Sequence, residues 1–204
     1  MPKVGELILV AAPSCCGKTR FLNELFAGRL HHVLTAMKIK APIDSYQSVI
    51  PQEIADIDSS NVPRMILHYA LPTIALDEGS LRNLEDDPRL EIVSNSERVT
   101  VLTLITSPAI LTSRLLARNR AHRILLLTNF SKYFRERRRL GRLKDLYAEP
   151  SRIKSVFDAW FAYSSLLPNL ADQWLITADD EYGVYAQRDW LSISKSYFVD
   201  SKGN

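Results

Sequence analysis

The chain has 204 residues, 46% of them apolar and 24% charged, with two cysteines and a net charge of +3. That length suits one α/β domain with a full core, and the composition excludes global disorder, a low-complexity chain and a disulfide-stapled scaffold. No apolar run approaches the length of a membrane span, and Glu6 beside the short run Leu7 to Ala12 spoils a secretory signal, so a cytoplasmic setting away from membranes is expected.

Leu7 to Ala11 reads as a buried strand, and Arg20 to Ala27 reads as a helix carrying Phe21, Leu22, Leu25 and Phe26 inward and stopping near Gly28. Between them lies Ala12-Pro13-Ser14-Cys15-Cys16-Gly17-Lys18-Thr19. Strand, tight loop and helix with Gly-Lys-Thr at the hinge is the context in which backbone amides and a helix N-terminus hold a polyphosphate. Gly17 lets the main chain approach, Lys18 reaches the β and γ oxygens, and the Thr19 hydroxyl is placed to ligate Mg²⁺. Pro13, Ser14, Cys15, Cys16 and Arg20 complete the expected nucleotide contacts. Ala12 stands where the pattern has its first glycine. Cys15 and Cys16 are adjacent and no third cysteine exists, which rules out a disulfide framework and favours a reducing compartment. A helix N-terminus favours a thiolate, but no partner base is identifiable for either thiol.

His31 to Met37 reads as a second, short strand, whose adjacent histidines point to opposite faces and so make a poor metal pair. The polar, proline-punctuated stretch 38–63 is the expected acceptor-binding insertion. Arg64 to Leu71 is a third strand. Thr73 to Leu76 followed by Asp77-Glu78 reads either as a short strand presenting Asp77 to Mg²⁺ or as a loop and helix cap, and Asp44 is the other candidate carboxylate. A modest helix is expected from Pro88 to Glu97.

Val99 to Thr106 is the clearest strand, apolar and β-branched almost throughout, as a strand covered on both faces should be. Pro108 opens a helix with Ile110, Leu111, Leu115 and Leu116 inward, and Arg114 and Arg118 one turn apart on another face, able to clamp a polyanion. Residues 132 to 144 hold seven cationic side chains against Glu136, a local charge of +6 that leaves −3 for the rest. An arginine-rich lid over about 120–145 suits phosphoryl transfer, in which positioned cations gather moving charge, and Arg135, Arg138 and Arg142 are the first candidates. Pro150 opens a strong helix with Ile153, Val156, Phe157, Trp160 and Phe161 at helical spacing. Gln173 to Ala178 is the last expected strand, which places Thr177 and Asp179 at its carboxyl end, near a base or ribose. The tail from Tyr182 onward reads as an amphipathic remnant.

The loop Ala12 to Thr19 resembles that of the P-loop nucleotide kinases, and its Pro-Ser pair is similar to that of the guanylate kinase group. The likeness extends to the strand Val99 to Thr106, the turn Ser107-Pro108 and the paired Arg114 and Arg118. The resemblance implies a single P-loop domain: a three-layer α/β fold with a mainly parallel central sheet and an Arg-rich lid. It also implies ATP and Mg²⁺ as cofactors and phosphoryl transfer to a small acceptor, with Lys18 and the arginines from Arg114 to Arg142 as the catalytic cations. No guanylate-binding signature is found, so the acceptor is left open among a nucleotide, a sugar or a similar metabolite. Two rivals remain. One is a sulfotransferase using a sulfonated nucleotide, and the other is a non-catalytic, nucleotide-gated binding protein. Nucleic-acid binding ranks last, since aromatics are scarce among the arginines beyond Tyr133 and Phe134.

Overall fold

The computed structural model describes residues 2–57, 61–79, 84, 86–121, 130–179 and 181–198. Six strands form one sheet: β1 (Lys3–Ala12), β2 (Gln47–Val49), β3 (Asn61–Ala70), β4 (Ser96–Ile105), β5 (Leu170–Ala178) and β6 (Tyr182–Ala186). Their spatial order is β2-β3-β1-β4-β5-β6, parallel throughout except for β6, which runs antiparallel to β5. Parallel strands require crossovers, and the described helices lie in those crossovers: α1 (Lys18–Phe26), α2 (His31–Ala36), α3 (Thr73–Asp77), α4 (Glu91–Ser94), α5 (Pro108–Ala121), α6 (Phe130–Tyr147) and α7 (Pro150–Ser164), with α8 (Trp190–Tyr197) after β6. This is an α/β chain with a mostly parallel sheet, compatible with the three-layer arrangement expected. Among the described residues no helix is long and apolar enough to cross a membrane.

The core follows from the apolar central strands. Leu7 to Ala12 of β1 and Val99, Val101, Leu102, Leu104 and Ile105 of β4 are all buried. The two buried threonines of β4 keep polar partners or small volume; Thr103 accepts a hydrogen bond from Trp160 Nε1 at 2.8 Å, tying α7 to the sheet centre. Ile153, Val156, Phe157, Trp160 and Phe161 are buried, as their spacing predicts.

Several elements differ from the sequence reading. His31 to Ala36 is helical, not a strand: Leu30, Val33, Leu34 and Met37 recur with helical period, and Thr35 Oγ1 donates back to the His31 carbonyl at 2.9 Å. Thr73 to Asp77 is also a helix. β3 ends at Ala70, Pro72 occupies the N-cap, and the Thr73 hydroxyl donates to the Leu71 carbonyl at 3.1 Å, so no strand delivers Asp77 to the sheet edge. The expected helix from Pro88 is a 3-10 turn, Pro88–Leu90, plus the short α4, because Ser96 already enters β4. Leu116 is 41% exposed rather than inward. Part of the 38–63 insertion is sheet: β2 adds an edge strand to β3. The tail supplies β6 and α8, whose Trp190 packs against Phe157 and Phe161 at ring-centroid distances of 5.7 and 4.8 Å.

Beneath α7, buried Asp87 accepts hydrogen bonds from Tyr69 Oη at 2.7 Å and from Arg89 N and Nε at 3.0 and 2.8 Å. Burial pushes the Asp87 carboxyl up, but the bonds from Arg89 and Tyr69 outweigh it and hold the carboxyl below its ordinary value. A carboxylate depressed in this way stabilises the fold above its ordinary pKa, and the contribution disappears as pH falls through the native value. Asp87→Asn is expected to lower unfolding free energy at pH 7 by about 2 kcal/mol, with the difference from the parent closing at an acid pH below the native carboxyl's range. Urea unfolding at both pH values checks it.

Candidate polyphosphate site

The site begins where β1 runs out. After Ala12 the chain turns, with Cys16 N donating to the Pro13 carbonyl at 3.3 Å and Cys15 at φ 71°. That left-handed conformation costs a non-glycine residue about 1–2 kcal/mol, so surrounding contacts must impose it. Gly17 follows at φ 95°, and a Cβ there would lie 3.0 Å from Arg114 Nη1, so both conformation and space favour glycine. Gly17 is the N-cap of α1 and contributes no side-chain cap, and no acidic residue occupies the first turn. The leading amides of α1 are therefore donors with no side-chain acceptor at the cap, beside the positive end of the helix dipole.

Four anchors fix the loop. Buried Cys16 donates its thiol proton to the Leu104 carbonyl of β4 at 3.2 Å. Arg114 of α5 donates to the Cys16 carbonyl at 3.0 Å and to the Ala178 carbonyl of β5 at 3.1 Å, bridging loop and sheet. From α6, Arg139 donates to Ser14 Oγ at 2.9 Å and Tyr147 Oη to the Ser14 carbonyl at 2.8 Å. Burial pushes the Cys16 thiol well above its ordinary value. Cys16 is accordingly a structural donor, not a nucleophile. With Ellman's reagent, Cys15 of the native protein is expected to react roughly a hundredfold faster than Cys16, which waits for unfolding. Two equally fast thiols would contradict this assignment.

A cleft of about 490 Å³ lies over the loop, lined by main-chain and side-chain atoms from Ala12 to Arg20 and by Ala70, Arg114, Arg118 and Arg139. Among these lining residues the cations are Lys18, Arg20, Arg114, Arg118 and Arg139, and none is acidic. Burial, aided by the neighbouring Arg89 cation, lowers the Lys18 ammonium from 10.5 to about 8. Nearby, His68 Nε2 pairs with Ser48 Oγ at 2.7 Å, and burial together with Lys18 keeps its imidazole below the ordinary histidine value.

The expected site residues do not all come together. Pro13, Ser14, Cys15, Cys16, Gly17, Lys18, Thr19, Arg20, Arg114 and Arg118 come together around the cleft, with Thr19 exposed to solvent. Arg135, Arg138 and Arg142 line a neighbouring cleft instead. Asp77 lines neither; its carboxylate is bidentate with Arg152, at 3.1 Å to Nε and 2.5 Å to Nη2. Thr177 Oγ1 accepts from Gly183 N at 2.8 Å, and a Cβ at Gly183 would meet that oxygen at 2.7 Å. Asp179 accepts from the Thr106 hydroxyl and from Ser107 N. Both residues thus close the turn into β6 and the tip of β4. Asp44 is exposed in the 3-10 turn Ile43–Ser45. Residues 122–129, in the N-terminal part of the expected lid, and Asp180 lie outside the described residues.

For the cofactors, the fit is unequal. Loop amides, Lys18 and the surrounding guanidinium groups suit a polyphosphate, whereas Thr19 is the one expected metal ligand at the cleft. Among the described residues no cluster of three His, Cys, Asp or Glu side chains is arranged to hold a metal. A magnesium ion would therefore arrive on the phosphates, with the Thr19 hydroxyl as its protein ligand. Arg139 and Tyr147, which hold Ser14, were not among the expected site residues. Arg139 stood in the basic run without distinction, since only docking of α6 on Ser14 separates it from its neighbours.

No family model matches this chain, and no curated protein or solved structure does either.

Proposed function

We propose that the chain is an ATP- and Mg²⁺-dependent phosphotransferase of the P-loop kinase type, acting on a small acceptor. The observation that carries this reading is the cleft over residues 12–20: uncapped amides of α1, a lysine with a lowered pKa and guanidinium groups, with no acidic side chain among the described lining residues. In the reaction an acceptor oxygen bonds to the γ-phosphorus as the bond to the β–γ bridging oxygen breaks, and the electron pair leaves with the nucleoside diphosphate. Lys18 and the loop amides hold the donor, Thr19 contacts the phosphate-bound metal, and Arg114, Arg118 and Arg139 offset charge as it shifts. Gathering charge in this way needs no covalent chemistry from the protein.

One observation favours a second reading. The cleft lacks an acidic metal ligand among its described residues, which also suits a metal-free sulfonated nucleotide and hence a sulfotransferase. Thermal unfolding with nucleotide, with and without Mg²⁺, separates the two. ATP at a hundred times its Kd should add about 2.7 kcal/mol to apparent stability by mass action, and Mg²⁺ should tighten the effect. Stabilisation by a sulfonated nucleotide alone, indifferent to Mg²⁺, would support the rival. Stabilisation by neither would remove both.

A further inference from the structure

Arg139 lines three clefts at once. Besides the loop cleft it borders one of about 290 Å³, walled by Leu71, Pro72, Ile74, Ala75 and Leu143, and another of about 570 Å³ lined by Ile74, Phe134, Arg135, Arg138 and Arg142. Ile74 is common to the last two, so one continuous surface runs from Ser14 to Arg142.

The charge on this surface is unusual for a helix. Arg135, Arg138, Arg139 and Arg142 recur at intervals of three and four, which aligns them on one side of α6, and like charges at i, i+4 destabilise an isolated helix. Glu136, the acidic residue beside them, is ion-paired with Arg139 at 3.4 Å. No acidic residue is among the described side chains lining the arginine cleft. The helix itself is held by its buried Leu140, Leu143, Leu146 and Tyr147, with Leu143 one turn from Arg139 and Leu146 one turn from Arg142, so the arginines border the packed face. Arg139 is bound to Ser14, whereas Arg135, Arg138 and Arg142 are exposed and share their cleft with Ile74 and Phe134. Glu78 lines the smaller cleft and not the arginine cleft, which assigns an anionic head group to the arginine cleft and the apolar remainder to the carbon surface shared through Ile74.

We propose that these two joined clefts form a binding subsite for an amphiphilic organic anion. Its carboxylate or phosphate-ester head is held by Arg135, Arg138 and Arg142, and its apolar body lies on Ile74, Phe134, Leu71 and Leu143. Naming this ligand as the phosphoryl acceptor rests on the phosphotransferase reading; the binding does not. The site stands beside Ser14 at the head of α3, and no residue of the 38–63 segment expected to take the acceptor is among its described lining residues.

The test uses the full chain bearing Lys18→Met, so that nucleotide binding is weakened, and titrates 8-anilinonaphthalene-1-sulfonate, an aromatic anion whose fluorescence rises on burial. Saturable binding at one site is expected, weakened about tenfold or more by the triple substitution Arg135→Gln, Arg138→Gln and Arg142→Gln. Those side chains are exposed, and circular dichroism confirms that the variant folds. Ile74→Glu, which puts a carboxylate between the clefts, should weaken the dye similarly. The uncharged N-phenyl-1-naphthylamine should bind about tenfold more weakly than the sulfonate. Competition with phenyl phosphate and with 3-phenylpropionate identifies the preferred head group, and displacement by either supports the site. Displacement by neither, dye binding indifferent to the arginines, or tighter competition by a single-stranded oligonucleotide would overturn it. Failure of ATP to stabilise the parent protein would overturn the kinase reading and leave this result standing.

Discussion

Lys18→Met is expected to weaken nucleotide-dependent stabilisation, through an affinity lowered roughly tenfold to a hundredfold, while making the ligand-free protein more stable. The two effects have one cause. Burial lowers the ammonium from 10.5 to about 8, so below pH 8 the native state carries a charge that the unfolded chain hydrates better. The sign follows from linkage: this penalty is complete below about pH 8, shrinks as pH rises toward 10.5 and is absent above it. Removing the charge should raise unfolding free energy at pH 7 by on the order of 2 kcal/mol, with parent and variant converging near pH 10.5. With a polyphosphate bound the balance reverses, since a charge-assisted contact worth about 1.5–3 kcal/mol is lost, roughly tenfold to a hundredfold in affinity. Chemical denaturation of both proteins across this pH range, with and without ATP, measures both. A variant less stable than the parent at pH 7 would mean that Lys18 holds the fold together rather than waiting for a ligand.

Arg139→Ala carries the second large expected effect. Its guanidinium touches Ser14 Oγ and is the side chain shared by the three clefts, so in the proposed phosphotransferase it would stand between the triphosphate and the acceptor. Arginines in that position contribute about 10³-fold or more to turnover in phosphoryl transfer, chiefly through the transition state. The expectation is a kcat lowered by about 10³ with nucleotide affinity changed less than about tenfold, because loop amides and Lys18 remain. Lysine at 139 should restore little, lacking the forked geometry. Steady-state kinetics with the acceptor identified by screening, alongside equilibrium nucleotide binding, checks the split. Equal losses in kcat and binding would instead assign Arg139 to holding the loop.

Legibility in the sequence followed how local each cause was. The succession of β1, loop and α1, the central β4 and the long α7 are written in runs and periods confined to a dozen residues or so, and the structure places them within a few residues of the expected bounds. His31 to Ala36 failed as a strand because a segment this short carries too few repeats for alternation to be told from a helical period, and Leu30 and Met37, which decide the matter, flank it. For Thr73 to Asp77 the strand reading failed for a different reason, while the helix-cap alternative agrees with Glu78 at the C-cap of α3 and Gly79 at φ 75°. Pro72 and a Thr73 side-chain bond start a helix immediately after β3, and the acid expected at a metal is taken by Arg152, 75 residues away. Asp179 is likewise taken by Thr106 and Ser107 across the sheet. Partners that distant leave no mark on local pattern. The anchoring of Ser14 by Arg139 and Tyr147 is of the same kind, because only the docking of α6 selects one arginine from the run.

The central claim is that the main chain from Cys15 to Thr19 wraps a polyphosphate. Amide ¹H–¹⁵N correlation spectra of the labelled protein, recorded as ATP and Mg²⁺ are added, test it most directly. Amides that donate to phosphate oxygens move strongly downfield, so the largest displacements should fall on Gly17, Lys18 and Thr19 and should be weaker in Lys18→Met at equal ATP. If the nucleotide instead perturbs other parts of the chain and leaves those three signals in place, the loop is not a phosphate cradle and the assignment fails.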